Sequence, residues 1–413
     1  MSGERRCDVL IVGGGLVGSA LARALAELPL DVLLVEALEP RRLTQPSFDQ
    51  RSTALASGSQ RILAGLDLWP ALAPQAQAIT HIHISEAGRF GAARIVAAEE
   101  GVRALGYTIE NQAIGRVLWQ GLDTQPRFGC LAPAEMRTLA TSANDAIAQI
   151  AVGGEHLTVR AKLVVAADGE RSWVRRALGG TARADDYEQA AIVLNCRTAA
   201  APAGHAFERF TPRGPIAFLP LTDGRAAVIW TLPTAAAERA LALSADDFRS
   251  ALQTAFGYRL GRIVRVGERH LHALSRVRAE PLERERAVLI GNAALALHPV
   301  AGQGFNLALR DVATLAEVLA DELRERGGAA DVGSAQLLAR YREWRAADRR
   351  RVAAFTHGLI RLFGDAVPGL GAARGLGLAA FDVLPGAKAL LARQTMGRAG
   401  RLPRLARGVG LSA

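Results

Sequence analysis

Three glycines near the N-terminus, Gly13, Gly15 and Gly18, stand in the spacing G-x-G-x-x-G, and the stretch after them closes on Glu36. This pattern suits a backbone that must come close to a phosphate. Gly13 permits a tight turn, Gly15 lets the chain approach a pyrophosphate, and Gly18 lets a helix pack closely on a strand. Glu36 can accept both hydroxyls of an adenosine ribose, and its charge repels a 2′-phosphate, which favours NAD or FAD over NADP. Such chemistry needs particular supports. Val9 to Val12 is a continuous apolar run suited to a buried parallel strand. Leu16, Ala20, Leu21, Ala24 and Leu25 recur at helical spacing, and Val32 to Val35 is a second strand that ends at Glu36. Strand, helix, strand and acid in register specify a βαβ unit whose helix start offers unpaired N–H groups to an anion.

Two more stretches carry a pattern. Leu163 to Ala166 reads as a strand, Asp168-Gly169 as a turn, and Ser172 to Leu178 as a helix. Taken alone, Asp168 is a turn residue or helix cap; its spacing to Ser172 and Arg175 gains weight from the glycine loop already present. Almost at the other end of the chain, Gly291 to Asp311 holds a second glycine loop between an apolar run, Ala287 to Ile290, and a helical pattern. Leu309, Val312, Leu315, Leu319 and Leu323 mark that helix as packed by one face. Gly375-x-Gly377-x-x-Ala380 also fits a relaxed fingerprint, but without a preceding strand it reads as a helix–helix connection.

Together these stretches resemble the flavoprotein aromatic hydroxylases of the type that includes p-hydroxybenzoate hydroxylase. The glycine fingerprint, the D-G-x-x-S-x-x-R motif at Asp168, Gly169, Ser172 and Arg175, and the Gly-Asp motif at Gly291-Asn292, Pro299, Gly302, Gly304, Asn306 and Asp311 follow in the family's order. The resemblance implies FAD, with its AMP half on the first loop and its ribityl chain and ring on the last. It implies Asn292 beside the ribityl hydroxyls, where many relatives carry aspartate. It also implies a helix start at Gly304, Phe305 and Asn306 that points N–H groups at the flavin pyrimidine ring. Arg51 and Arg116 become candidates for contact with the phosphates or ribityl chain, with a surface salt bridge as the other reading of each. His298 reads as a member of a rigid loop before Pro299.

The expected architecture is α/β: a Rossmann-like FAD-binding domain of the p-hydroxybenzoate hydroxylase kind, an inserted β-sheet substrate domain and a helical C-terminal region. The expected segments are 1–75, 104–182 and 277–330 for the FAD domain, 76–103 and 183–276 for the substrate domain, and 331–413 for the helical region with a basic tail. Ala190 to Cys196, Ala206 to Phe210, Ile216 to Leu219 and Ala226 to Leu232 are short strand patterns expected to roof the flavin. Phe207, Phe210, Phe218 and Trp230 are read as core residues in the first instance, and as the lining of an apolar slot in the second.

Arg51 to Trp69, Gly106 to Trp119, Ala206 to Leu221 and Leu297 to Val312 narrow the resemblance to the ubiquinone-biosynthesis hydroxylases. The segment 359–397 most resembles the branch called 2-polyprenyl-6-methoxyphenol hydroxylase. That branch implies hydroxylation of a polyprenylated phenol, with NAD(P)H reducing FAD and O2 adding at flavin C4a as a hydroperoxide that transfers one oxygen. No catalytic acid or base and no metal site stands out. Alternatives on the same scaffold are a prenyl reductase, a halogenase, or a non-enzymatic prenyl-binding carrier; the halogenase motif Trp-x-Trp-x-Ile-Pro is absent.

Hydrophobic residues make up 50% of the 413, which fits a compact α/β chain, and the three cysteines are scattered, so no disulfide framework is expected. The opening Arg5-Arg6 and apolar run resemble a signal peptide, but Asp8 and the glycines argue for a first strand and a protein that stays inside the cell. No apolar run is long enough to span a bilayer. The net charge is +10, and more than half of that excess follows Asp382, after which no acid appears. The mildly basic remainder does not indicate nucleic acid. The expected location is the cytoplasm, peripheral to the inner face of the membrane or docked on a complex of the same pathway. Three readings of the basic tail stay open: a solvated disordered segment, a membrane-facing helix through Leu402, Leu405 and Val409, or docking on a protein complex of the same pathway. Arg349 to Arg351 reads as a solvated helix face.

Overall fold

The computed structural model describes residues 4–39, 51–297, 302–364 and 370–411. Strand β1 (Glu4–Val12), helix α1 (Leu16–Leu25) and strand β2 (Val32–Val35) form the first βαβ unit. There follow β3 (Ser52–Ala56), β4 (His81–Glu86), β5 (Ala92–Val96), β6 (Gly106–Glu110), α2 (Asn111–Trp119), β7 (Phe128–Leu131) and β8 (Glu155–Ala166). The middle of the chain supplies β9 (Thr181–Thr198), β10 (His205–Thr211), β11 (Gly214–Pro220), β12 (Arg225–Pro233), β13 (His270–Glu280) and β14 (Ala287–Leu289). Helices α3 (Gln303–Arg326), α4 (Ala335–Gly364), α5 (Leu370–Val383) and α6 (Pro385–Thr395) follow, and a short helical turn at Arg404–Arg407 comes after them.

One sheet runs β14-β8-β1-β2-β7 with every one of these pairs parallel. Both faces of its core strands are covered, as their unbroken apolar runs require. Val9 and Ile11 pack with α1, α2 and α3, while Leu10 and Val12 on the other pleat pack on an antiparallel ribbon through Met136, Ala148 and Ile150. A second sheet, in the order β13-β9-β12-β11-β10-β4-β5, gathers strands from two separated parts of the chain. One of its faces holds Ile192, Phe218, Val228 and Trp230 against Phe248, Leu252 and Phe256 of the helix Ala245–Phe256. Its other face looks towards the first sheet. Phe218 and Trp230 are therefore core residues, whereas Phe210 lines the space between the sheets.

Helix α3 departs from the one-face expectation. Leu309, Val312, Leu315 and Leu319 are buried, but so are Arg310, Asp311, Thr314 and Glu317 on its other sides. The polar face is covered by α4 and neutralised there. Asp311 accepts from Arg345 Nε at 2.7 Å and Arg349 Nη2 at 2.9 Å, and Asp348 accepts from Arg310 Nε at 2.8 Å and Arg345 Nη1 at 2.7 Å. Arg349 also donates to the Tyr341 hydroxyl at 2.8 Å. Arg349 is thus a buried ion-pair partner and not part of a solvated face; only Arg350 and Arg351 of the triple are exposed.

The basic tail is also folded in, contrary to its readings as a disordered segment and as a membrane-facing helix. Arg404 is buried with Glu317 and Asp321 of α3, Leu405 and Leu411 join the main core, and Arg401 stacks on Trp344 at 3.6 Å. Gly375, Gly377 and Ala380 lie inside α5 and not at a connection, with Gly375 in close contact with the Phe90 backbone.

Burial alone would raise the Asp311 carboxyl, but Arg349 and Arg345 outweigh it and hold the group below its ordinary value; Arg310 and Arg345 do the same for buried Asp348. A carboxyl whose folded pKa is depressed stabilises the fold above its unfolded pKa, and that stability is lost as pH falls through the folded value. Urea midpoints should therefore decline on acidification below about pH 4. Asp311→Asn, which strands two buried guanidinium groups, should cost about 3–5 kcal/mol and flatten part of that decline.

Candidate functional site

The first glycine loop follows from steric necessity. Gly13 has φ +101°, and a Cβ there would lie 2.6 Å from the Ala167 carbonyl oxygen; a Cβ on Gly18 would lie 1.8 Å from the Gly13 oxygen. Gly15 has an ordinary φ of −64° and is the residue before α1, so its missing side chain clears space above the helix start. Glu36 receives the N–H groups of Gly14 and Leu38, and it stays half-exposed at the end of β2. Each carboxylate oxygen keeps a further lone pair for a hydroxyl donor.

The Asp168 turn is a clamp. Asp168 Oδ2 accepts from Val174 N–H at 3.0 Å, Ser172 Oγ accepts from Arg175 N–H at 3.0 Å, and burial pushes the Asp168 carboxyl up. Arg175 then donates to the Glu170 carbonyl and the Ala293 carbonyl, both at 2.8 Å. It locks the second loop to the third. There, Gly291 turns at φ +57° and Asn292 is exposed at the carboxyl end of β14. Asn306 is only 1% exposed; its Oδ1 accepts from Ala56 N–H at 2.7 Å, and its Nδ2 donates to the Ala54 and Gly302 carbonyls at 2.8 and 2.7 Å. His298 and Pro299 lie outside the described residues.

These loops surround one cavity of about 630 Å³. Gly15, Arg51, Asn292, Gly302, Gly304, Phe305 and Asn306 line it, as do Ala167 and Gly169 beside Asp168. Gly13, Gly18, Glu36 and Asp168 do not line it themselves but shape the turns of the loops that do. Arg116 is elsewhere: it is exposed on α2 and donates to Gln75 Oε1 at 3.4 Å. Both α1 and α3 begin in the cavity, and neither has a side-chain cap, so their leading N–H groups are left for whatever fills the space. A Cβ on Gly304 would meet nothing within 4 Å, so packing within the protein does not demand a glycine there. Two uncapped helix starts and a vacant approach above Gly304 fit a long anionic cofactor with a polar ring.

Sequence reasoning placed the strands Ala206 to Phe210 and Ile216 to Leu219 over the cofactor but did not find the parts of β4, α4 and α6 that complete the far wall. Ile82 and Ile84 of β4, Ala206, Glu208 and Phe210 of β10, and Ala217 and Leu219 of β11 line the cavity, closed by Phe355 and Leu359 of α4 and Leu391 of α6. Glu208 is the exception on that apolar face. Its register partners are Ala217 and Ile84, and burial raises its carboxyl to about 7. No signal in the sequence separates Glu208 from a solvent-facing strand residue, because its neighbours are set by register with distant strands.

The FAD binding domain family matches residues 6–356 of this chain. The chain belongs to that family. FAD is its cofactor, and the cavity described above is the space that suits it. The chain is 38% identical to the ubiquinone hydroxylase UbiL of Rhodospirillum rubrum, over 99% of its own length and 95% of the relative's. It is 33% identical to the 3-demethoxyubiquinol 3-hydroxylase of Escherichia coli, over 91% and 94%. The crystal structure of p-nitrophenol 4-monooxygenase PnpA from Pseudomonas putida superposes with a TM-score of 0.78 at 18% identity, covering 96% of this chain and all of that one. The fold is that of the p-hydroxybenzoate hydroxylase-like flavoproteins.

Gly304→Leu separates cofactor binding from folding. The side chain meets open space and favours the helix by about 0.5–1 kcal/mol, so the cofactor-free protein should melt no lower than the parent. Flavin retained on purification, read from visible absorption, should fall to a small fraction. Undiminished flavin would show that the space above Gly304 is not where the cofactor lies.

Proposed function

We propose that this protein is an FAD-dependent monooxygenase that hydroxylates the ring of a polyprenylated phenol in ubiquinone biosynthesis, with NAD(P)H as reductant and O2 as oxidant. The observation that carries this reading is the cavity's polarity. At one end it presents backbone N–H groups and glycines, and at the other an apolar sheet face closed by α4 and α6. A cofactor with phosphates and a substrate with a hydrocarbon tail would divide such a space between them. The relatives named above support the same class. The finer reading, carried by the resemblance of segment 359–397, is a 2-polyprenyl-6-methoxyphenol as acceptor.

Bound FAD supplies the activation of oxygen, by taking electrons from NAD(P)H and passing one oxygen atom to an electron-rich ring. The rest of the work falls to the chain. The uncapped start of α3 stabilises negative charge on a polar ring held against it. Ile82, Ile84, Phe210, Leu219 and Phe355 exclude water from the reacting end. Glu208 is placed to take the phenol proton: the substrate O–H bond breaks, the proton moves to a carboxylate oxygen, and the electron pair left on the phenol oxygen enriches the ring. The proton returns to that oxygen in the product. A carboxyl with a pKa of about 7 is matched to such a task near neutral pH.

The test supplies purified protein with NAD(P)H, labelled O2 and 2-geranyl-6-methoxyphenol, and follows the product by mass spectrometry. One labelled oxygen on the ring is the expected result. A protein that stays colourless after exposure to FAD, or a phenol that is returned unaltered, overturns the reading.

Glu208→Gln should keep its flavin. Glu208 accepts a proton only when ionised, so wild-type kcat/KM should rise with pH through about 7. In the variant that limb should vanish and kcat/KM should fall by about 10²–10⁴. A retained limb would assign the titration to another group.

A further inference from the structure

A second cleft of about 630 Å³ lies outside the flavin cavity, between β4, β5, β10 and α5. Arg89, Arg94, Arg209 and Arg259 contribute to its walls, against the carboxylates of Glu86 and Asp382 only. Both acids are already engaged, Glu86 with Arg374 at 2.8 Å and Asp382 with Arg94 at 2.9 Å. Among the described residues, Arg89, Arg209 and Arg259 have no carboxylate partner. Arg209 Nε is buried without a hydrogen-bond acceptor. The guanidinium groups feel one another: burial and then Arg259 lower Arg209, and burial followed by Arg259, Arg94 and Arg209 pushes nearby His83 down to about 4. Like charges held together in a cleft are a site for an anion.

The same cleft is walled by Phe90, 81% exposed, and Val383, 75% exposed. Leu376, Leu384 and Leu390 continue this exposed apolar surface along α5 and α6. The two helices meet at a bend of 94°, with Val383 and Leu384 at the corner. No single helix among the described residues is long and apolar enough to cross a membrane. A soluble phosphate would explain the arginines but not the hydrocarbon around them. Phosphate groups above a hydrocarbon layer explain both. The other side of α6 places Leu391 and Thr395 in the wall of the flavin cavity.

We infer that the Phe90 loop and the α5–α6 corner dock on the surface of a bilayer containing anionic phospholipid, with the Arg89–Arg209–Arg259 cleft seating headgroup phosphates. The corner enters the interface edge-on, and α6 stands between lipid and cavity. A hydrocarbon-tailed substrate would then pass along α6 without crossing water. The inference goes beyond the hydroxylase reading and is tested without turnover.

The flavin-loaded protein is sedimented with phosphatidylcholine vesicles with and without phosphatidylglycerol. The parent should favour the anionic vesicles, and R89Q/R209Q/R259Q should bind them roughly a hundredfold more weakly, each arginine contributing about a factor of five. Because Arg209 is partly buried, R89Q/R259Q serves as the milder pair, with a loss of about 25-fold. Phe90→Ser with Val383→Ser and Leu384→Ser should weaken binding about tenfold or more at unchanged charge. Arg407→Gln, in the exposed part of the tail, should change nothing. Retained flavin absorption and circular dichroism show that each variant is folded. Equal sedimentation of the parent with both vesicle types overturns the inference, as does undiminished binding by the arginine variants. Undiminished vesicle binding by the Phe90, Val383 and Leu384 variant would point to a site for a soluble anion and overturn it too.

Discussion

The start of α3 has to be held against β3 and the first glycine loop, and one buried amide does most of that. Asn306 spends its carbonyl on the Ala56 N–H and both amide hydrogens on the Ala54 and Gly302 carbonyls, joining segments 250 residues apart. Each buried group left unpaired by a shift would cost about 1–3 kcal/mol, so the helix start has one position and not a range. A turn and a half later, Asp311 fixes the same helix through Arg345 and Arg349, and its Oδ2 also accepts from Gly291 N–H at 3.4 Å. Arg175 reaches the far end of that Gly291 turn through the Ala293 carbonyl. Strand β3 and two glycine-bearing loops from distant parts of the chain are thereby registered to one another by side chains that line little of the cavity themselves.

Local patterns were legible because their causes are local. The Val9 to Val12 run, the glycine spacing and the acid after β2 report sterics and burial within some thirty residues, and the structure places them in one βαβ unit. The strands of the second sheet announced themselves by alternation for the same reason. What stayed hidden depends on partners far along the chain. Arg310, Asp311 and Glu317 look like the wet side of an amphipathic helix until α4 and the tail bring Arg345, Arg349 and Arg404 onto them. A guanidinium that is desolvated but paired has the same letter as one in water.

Glu208 was illegible for a related reason. In a strand with one wet face, a lone glutamate marks the solvent side; on β10 the pleat that carries Glu208 faces the cavity. Phe207 packs beside the helix-covered cluster, while Ala206, Glu208 and Phe210 turn to the cavity. Only the register with Ala217 and Ile84 shows that the carboxyl sits among apolar neighbours. Glu86 on the adjacent strand is in a comparable position in sequence but is tied to Arg374, which explains why one of these two acids is shifted upward by burial and the other has a permanent counter-charge.

The distribution of charge carries the same lesson to the surface. The sequence concentrates its positive excess after Asp382, yet Arg404 is consumed by Glu317 and Asp321, Arg401 lies on Trp344, and Arg398 donates to Ser57 Oγ at 2.8 Å. Formal charge there stabilises the closure of the tail over α3. In the second cleft, the cations without a carboxylate partner among the described residues, Arg89, Arg209 and Arg259, come from three separate stretches, and the fold gathers them. A field at a protein surface is set by which charges remain uncompensated after packing, so the count along the chain and the potential at the surface need not coincide. Here they separate, and the apolar corner of α5 and α6 lies beside the second and not the first.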